Sequence, residues 1–160
     1  MESPDRHGTV SVTLELEAVP ARVFAAFAEF EQRDRWFRMP GASADRTHEL
    51  DFREGGHVEH LHGPVHRLDV RETLDFRSRF FAIERDRRIV YAYELFVQEV
   101  RHGVSLVDIA LTPTAAGTRL EYTDQFTLLG PEEGLAAAAR ERRGSTRLQL
   151  NGLVAVLDDP

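Results

Sequence analysis

Three changes of hydrophobic period divide this chain. Val10, Val12, Leu14 and Leu16 alternate with Thr9, Ser11, Thr13 and Glu15, the period of two expected of an amphipathic strand. Residues 1–7 before it read as a flexible tail. The period then lengthens. Pro20 suits the first position of a short helix, PARVFAAFAEF, with Val23, Phe24 and Phe27 as its buried stripe. A second short helical segment, EQRDRWFRM, carries Trp36 and leads to Phe37, and Pro40-Gly41 stops it. From Thr47 to Leu129 the period returns to two. Gly55-Gly56, Gly63-Pro64, Arg85–Arg87, His102-Gly103 and Ala116-Gly117 are the expected breaks, and the path from residue 63 to residue 77 is ambiguous. After Gly130-Pro131 a helical pattern runs to the end, with Glu132 and Glu133 at its positive N-terminal pole.

The order is strand, two short helices, about six more strands, one long helix. Short connections imply antiparallel neighbours. A sheet with one solvated face must cover the other, and only the last helix is long enough to do so. The expected fold class is α+β: a curved antiparallel sheet of about six to seven strands wrapped on a long C-terminal helix, in a single domain spanning residues 1–160. The helix stripe facing the sheet would be Leu135, Ala139, Arg142 or Arg143, Thr146, Leu150, Leu153 and Leu157. Its second half is bulky and its first half small or polar. A cavity is therefore expected beneath the first half, open near the short helices and the strand loops.

One strand interrupts its own pattern. In TRLEYTDQFTLL (residues 118–129) Leu120, Tyr122, Phe126 and Leu128 share a face, and Asp124 falls among them. A buried, unpaired carboxylate costs several kcal/mol or takes up a proton. A wet or ligand-filled cavity would relieve that cost, as would Arg142, Arg143, His60 or His62 as partner; a plain structural ion pair is the alternative.

Composition removes several chemistries. The 160 residues include no cysteine, which excludes disulfides and thiolate nucleophiles. All 20 basic residues are arginine, so neither Schiff-base chemistry nor a P-loop has its lysine. A net charge of −7 disfavours nucleic acid. No apolar run reaches membrane-spanning length, and the N-terminus lacks a secretory pattern, so a cytoplasmic protein is the expectation.

Several side chains could carry function. His57, His60, His62 and His66 lie within ten residues, and His60 and His62 share a strand face. With Asp124 they could approach a two-histidine, one-carboxylate site, yet no metal and no cofactor is expected. Either histidine could serve as a general base. Tyr91 and Tyr93 share a face with Ile89 and Leu95, and their hydroxyls need partners if buried. No serine sits in a nucleophile-elbow motif.

Five segments, in order, resemble the START-like (helix-grip, SRPBCC) superfamily, and within it the homologues of the heat-shock-90 ATPase activator. They are VPARVFAAFAEFEQRDRWF, ELDFREGGHVEH with its Asp51, Phe52, Arg53, Gly55 and Gly56, IERDRRIVYAYE, GTRLEYTDQF and QLNGLVAVL. The turn at Arg85–Arg87 lacks the family's prolines, and Gly144-Ser145-Thr146 stands where a glycine-tryptophan pair is common. The resemblance implies a cavity for a lipid-like, polyketide-like or aromatic molecule, and an inward polar group at Asp124.

Three functions are consistent with these residues. The first is a carrier or sensor whose cavity is lined by Phe24, Trp36, His60, His62, Phe80, Tyr91, Tyr93, Tyr122, Asp124 and Thr146. The second is a cyclase- or hydrolase-type enzyme with catalytic candidates Asp124, His60, His62, Tyr91 and Tyr93. The third is an interaction module with a chaperone partner. Homodimer formation through the sheet or the short helices stays open.

Overall fold

The computed structural model describes residues 6–38, 45–56, 58–67, 70–130 and 135–159. The alternating segments become seven strands: β1 (His7–Leu16), β2 (Thr47–Leu50), β3 (Val58–Arg67), β4 (Val70–Glu84), β5 (Arg88–Val97), β6 (Val100–Thr114) and β7 (Gly117–Leu128). They form one antiparallel sheet in the order β1-β7-β6-β5-β4-β3-β2. Two short helices, α1 (Pro20–Ala28) and α2 (Phe30–Trp36), follow β1, and α3 (Leu135–Asp158) closes the chain. This is the expected helix-grip fold. The Pro40-Gly41 stop, His57 and the Pro131–Glu133 helix start lie outside the described residues.

Alternation decides which face is covered. In β7 Leu120, Tyr122, Asp124, Phe126 and Leu128 are all buried, and Glu121 and Gln125 are exposed. β1 pairs with β7 from Thr118 to Thr127, with Val10 opposite Asp124, and buries Val10 and Leu16. On α3 the buried positions are Leu135, Arg142, Thr146, Leu150, Leu153 and Val156. Arg142, not Arg143, therefore faces the sheet. Val156 takes the last buried place, and Leu157 is half-buried.

The strand boundaries differ from the sequence expectation in three places, each with a local cause. His7 already belongs to β1, where its backbone lies opposite Thr127. β3 runs through Gly63-Pro64, pairing Pro64 with Thr73. Described pairing with β2 ends at His62, so the missing N–H of Pro64 breaks no described β2–β3 pairing. The chain turns at Gln98 and Glu99, both at positive φ (50° and 65°), rather than at His102-Gly103. His102 is instead the extra residue of a β-bulge in β6, since Leu95 pairs with Gly103 and Phe96 with Arg101.

The helix is fastened at both ends. Leu150, Leu153 and Val156 join the main core with Val23, Phe27, Trp36, Leu61, Ile109 and Leu120. Gly152 lets α3 approach α2 closely: a Cβ there would stand 3.2 Å from the Trp36 carbonyl oxygen. At the other end Leu135 joins a smaller cluster with Val10, Phe126 and Leu128, backed by Ala138 and Ala139. The middle of the helix lies between the two.

Candidate functional site

Beneath the first part of the helix, from Leu135 to Gln149, is a cavity of about 800 Å³. Its floor is the inner face of β4, β5 and β7, contributing Leu74, Phe76, Tyr91, Tyr93, Leu95, Val97, Tyr122 and Leu128. Its roof is α3, contributing Ala137, Ala138, Arg142, Ser145, Thr146 and Gln149, and Phe37 forms part of the wall. Val70, Glu72, His102 and Glu141 also line it. Ala137, Ala138, Ser145 and Thr146 are short, and a helix packed into a core cluster at each end does not sink to close the space they leave. Ligand sites combine this kind of largely apolar lining with a few convergent polar groups.

The polar groups converge on Asp124. Its side chain is fully enclosed. Tyr93 donates a 3.0 Å hydrogen bond from its hydroxyl to Oδ2, and Arg142 Nη1 donates to the same hydroxyl at 2.7 Å. Nη1 also donates to Ser105 Oγ. Nη1 lies 3.9 Å from Oδ2, so the ion pair runs chiefly through the tyrosine. Asp124 Oδ1 has no hydrogen-bond partner among the described residues. Burial raises the Asp124 pKa; the Arg142 charge and the hydroxyls of Ser105 and Tyr93 oppose the rise without cancelling it. Burial likewise pushes the Tyr93 hydroxyl up despite Arg142, so Tyr93 is a neutral donor.

The bulge positions this network. A Cβ built on Gly103 would lie 2.8 Å from Arg142 Nη2 and 3.1 Å from the Thr127 carbonyl oxygen. Only glycine leaves the guanidinium that space. The head group also lies 5.3 Å from the centroid of the Tyr93 ring and 5.2 Å from that of Phe126.

Of the residues anticipated for the site, Tyr91, Tyr93, Tyr122 and Thr146 line the cavity, and Asp124 stands behind Tyr93. The others lie elsewhere. Trp36 is core, its Nε1 donating to the Ala26 carbonyl at 2.7 Å. Phe80 is core between Phe52 and Tyr91, and Phe24 meets Phe52 edge-on. His60 and His62 occupy the outer face of the sheet, since Leu61 between them points into the core. His60 Nε2 meets Asp75 Oδ1 at 2.5 Å, and Arg77 also binds Asp75. Neither histidine can join Asp124 through the sheet. Among the described residues no three His, Asp or Glu side chains are placed to hold a metal ion.

Sequence reading anticipated Arg142 and missed a second buried network. Arg142 belonged to the expected helix stripe and was a candidate partner for Asp124; its place in the cavity wall followed from that stripe. A second buried network gave less warning. Arg33 forks onto Glu59 with two 2.8 Å hydrogen bonds, and His48 bridges Glu59 and Asp34 at 2.8 Å each. Arg46 completes it on Asp34.

Among the described residues no helix is long and apolar enough to cross a membrane. The fold recurs in solved structures. A protein from Rhizobium leguminosarum is 28% identical, with 96% of each chain covered and a TM-score of 0.80. The Mll3558 protein from Rhizobium loti is 29% identical over 94% of this chain and 96% of that one, with a TM-score of 0.73. A protein of unknown function from Staphylococcus aureus shares the fold at 12% identity, covering 98% and 97%, with a TM-score of 0.72. No curated protein matches the chain. A family model does match, over residues 17–158. The chain belongs to the family described as Activator of Hsp90 ATPase homolog 1-like protein.

Proposed function

We propose that this protein binds a small hydrophobic molecule in the cavity between the sheet and the first part of α3. The observation that carries the reading is the cavity itself: about 800 Å³, walled mainly by aliphatic and aromatic side chains under a helix that contributes Ala137, Ala138, Ser145 and Thr146 beside Arg142, Leu148 and Gln149. That size falls within the range of small-molecule sites, and the polar groups gather at one place, as in sites that orient an apolar guest.

A catalytic role has less support. Asp124 does not line the cavity and meets it through Tyr93 and Arg142, the first of which already donates its hydroxyl to the carboxylate. A general base must reach the proton it removes, directly or through one water. A chaperone-associated role rests on the family's description alone.

Native mass spectrometry of freshly purified protein tests the binding reading. The expected result is a mass increment of a few hundred daltons, typical of drug-sized ligands, that disappears on denaturation. A protein that carries no such increment, and that shows no saturable binding of the neutral fluorophore N-phenyl-1-naphthylamine, would exclude it.

A further inference from the structure

Arg142 is only half used by the protein around it. A guanidinium has five N–H donors. The two on Nη1 go to Tyr93 and Ser105. Nε and Nη2 carry the other three, and none has a hydrogen-bond partner among the described residues. Arg142 is one of the residues that line the cavity. The side chain is otherwise buried, at 8% exposure.

We propose that the cavity's guest is amphipathic, an apolar body ending in a carboxylate that accepts hydrogen bonds from Nε and Nη2 of Arg142. This rests on the cavity being a hydrophobic-ligand site. Three physical points favour a carboxylate over a neutral end. Arginine keeps its charge in any such site, and a buried charge with unmet donors is costly. Asp124 compensates it poorly, 3.9 Å away and sharing Oδ2 with the Tyr93 hydroxyl. The unused Nε and Nη2 form one edge of the planar fork, and that edge matches the two oxygens of a carboxylate.

The surroundings fit this orientation. Nη1 is held by Tyr93 and Ser105, so the fork is fixed before the guest arrives. Leu74, Phe76, Leu95 and Val97 line space for the apolar body. Glu72, Glu141 and His102 also border the cavity. Glu141 is exposed and Glu72 half-exposed, and charges in solvent are screened over about 8–10 Å at physiological salt.

The test uses a matched fluorescent pair, 9-anthracenecarboxylate and 9-anthracenemethanol, titrated into the full-length protein. The carboxylate should bind at least about tenfold more tightly than the alcohol. Arg142→Met should remove that preference, bringing the affinities for the two probes to within roughly twofold of each other. Arg142→Lys, which keeps a charge without the fork, should retain only part of it. Equal binding of the two probes by the wild-type protein would overturn the proposal and point to water on the fork; this comparison needs no variant to fold. A preference that survives Arg142→Met would overturn it too. Binding of the alcohol but not the acid would sink the carboxylate assignment and leave the hydrophobic cavity standing. Failure of both probes to bind would remove both.

Discussion

The protein buries two arginines beside carboxylates, and the two sites are built differently. Arg33 is 3% exposed and stacks on Phe37, its guanidinium 3.7 Å from the ring centroid. Its fork is matched by Glu59, and Glu59 is further met by His48, which passes the chain of contacts to Asp34 and Arg46. Burial would raise the Glu59 pKa, but Arg33 and His48 outweigh it and hold the carboxylate below its ordinary value. At Arg142 one nitrogen does the bonding, the carboxylate stands 3.9 Å off, one of its oxygens has no described partner, and its pKa is raised. Burial is common to both and so marks neither as functional. The carboxylate beside each arginine separates them. Glu59 has both oxygens met, a closed site in a network that ties α2 to β2 and β3 and leaves Arg46 Nε at its far end without a partner among the described residues. Asp124 itself leaves Oδ1 unmet, an open site.

The largest expected effect tests the closed side. Glu59→Gln should cost about 3–5 kcal/mol, because it strands a buried guanidinium and one side of an imidazole. Asp124→Asn should cost less than about 1 kcal/mol, because the carboxylate it replaces is poorly compensated. Urea denaturation of both variants reads the difference directly. Equal losses would mean that the two networks do the same structural work.

The second effect lies on the open side. Thr146 roofs the cavity, and its hydroxyl is already spent on the Arg142 carbonyl at 2.9 Å. Thr146→Trp should fill the hollow and weaken binding of 9-anthracenecarboxylate roughly tenfold or more, equivalent to about 1.4 kcal/mol. The fold should persist, since the indole has empty space to enter. Unchanged affinity would place the ligand elsewhere.

The two networks should also respond to pH with opposite sign. Glu59 has a depressed folded pKa, so its contribution is full above its ordinary value of 4.5 and is lost as pH falls through the folded value. Asp124 has a raised folded pKa. Its contribution is full below its ordinary value of 3.8 and is lost as pH rises through the folded value. The stability gap between wild type and Glu59→Gln should therefore shrink on acidification, and the gap to Asp124→Asn should shrink on neutralisation. Neither slope can exceed about 1.4 kcal/mol per pH unit for a single group. Urea midpoints at a series of pH values measure both, and parallel slopes would contradict the assignment.

How much of this was legible in the sequence follows from what alternation can encode. A period of two places Asp124, Tyr122, Tyr91 and Tyr93 on inner faces because every second side chain points the same way. It also showed that His60 and His62 share a face, but not which one; Leu61 and Val65, both fully enclosed, take the inside and turn the histidines out. The β5–β6 turn was hidden because Gln98 and Glu99 adopt positive φ without glycine. Gly103, read as a break, marks the bulge instead. The Arg33 network was hidden for another reason. Its members come from α2, β3 and the segment before it, and charged residues on short elements resemble ordinary surface until the fold brings them together.

The smallest expected effect is the most selective. Gly103 touches the open network and not the closed one. Alanine there would bring a methyl to 2.8 Å from Nη2, the end of a flexible side chain, and to 3.1 Å from a backbone oxygen that cannot yield as readily. The guanidinium should shift while Tyr93 and Ser105 still hold Nη1. The stability loss should be on the order of 1 kcal/mol, typical of slight overpacking. Affinity for 9-anthracenemethanol should hold, because the apolar lining is untouched. The preference for 9-anthracenecarboxylate should fall, because the donor edge no longer points where it did. Loss of both affinities together would show that the bulge shapes the cavity as a whole, and retention of the full preference would show that Nη2 is not among the donors that matter.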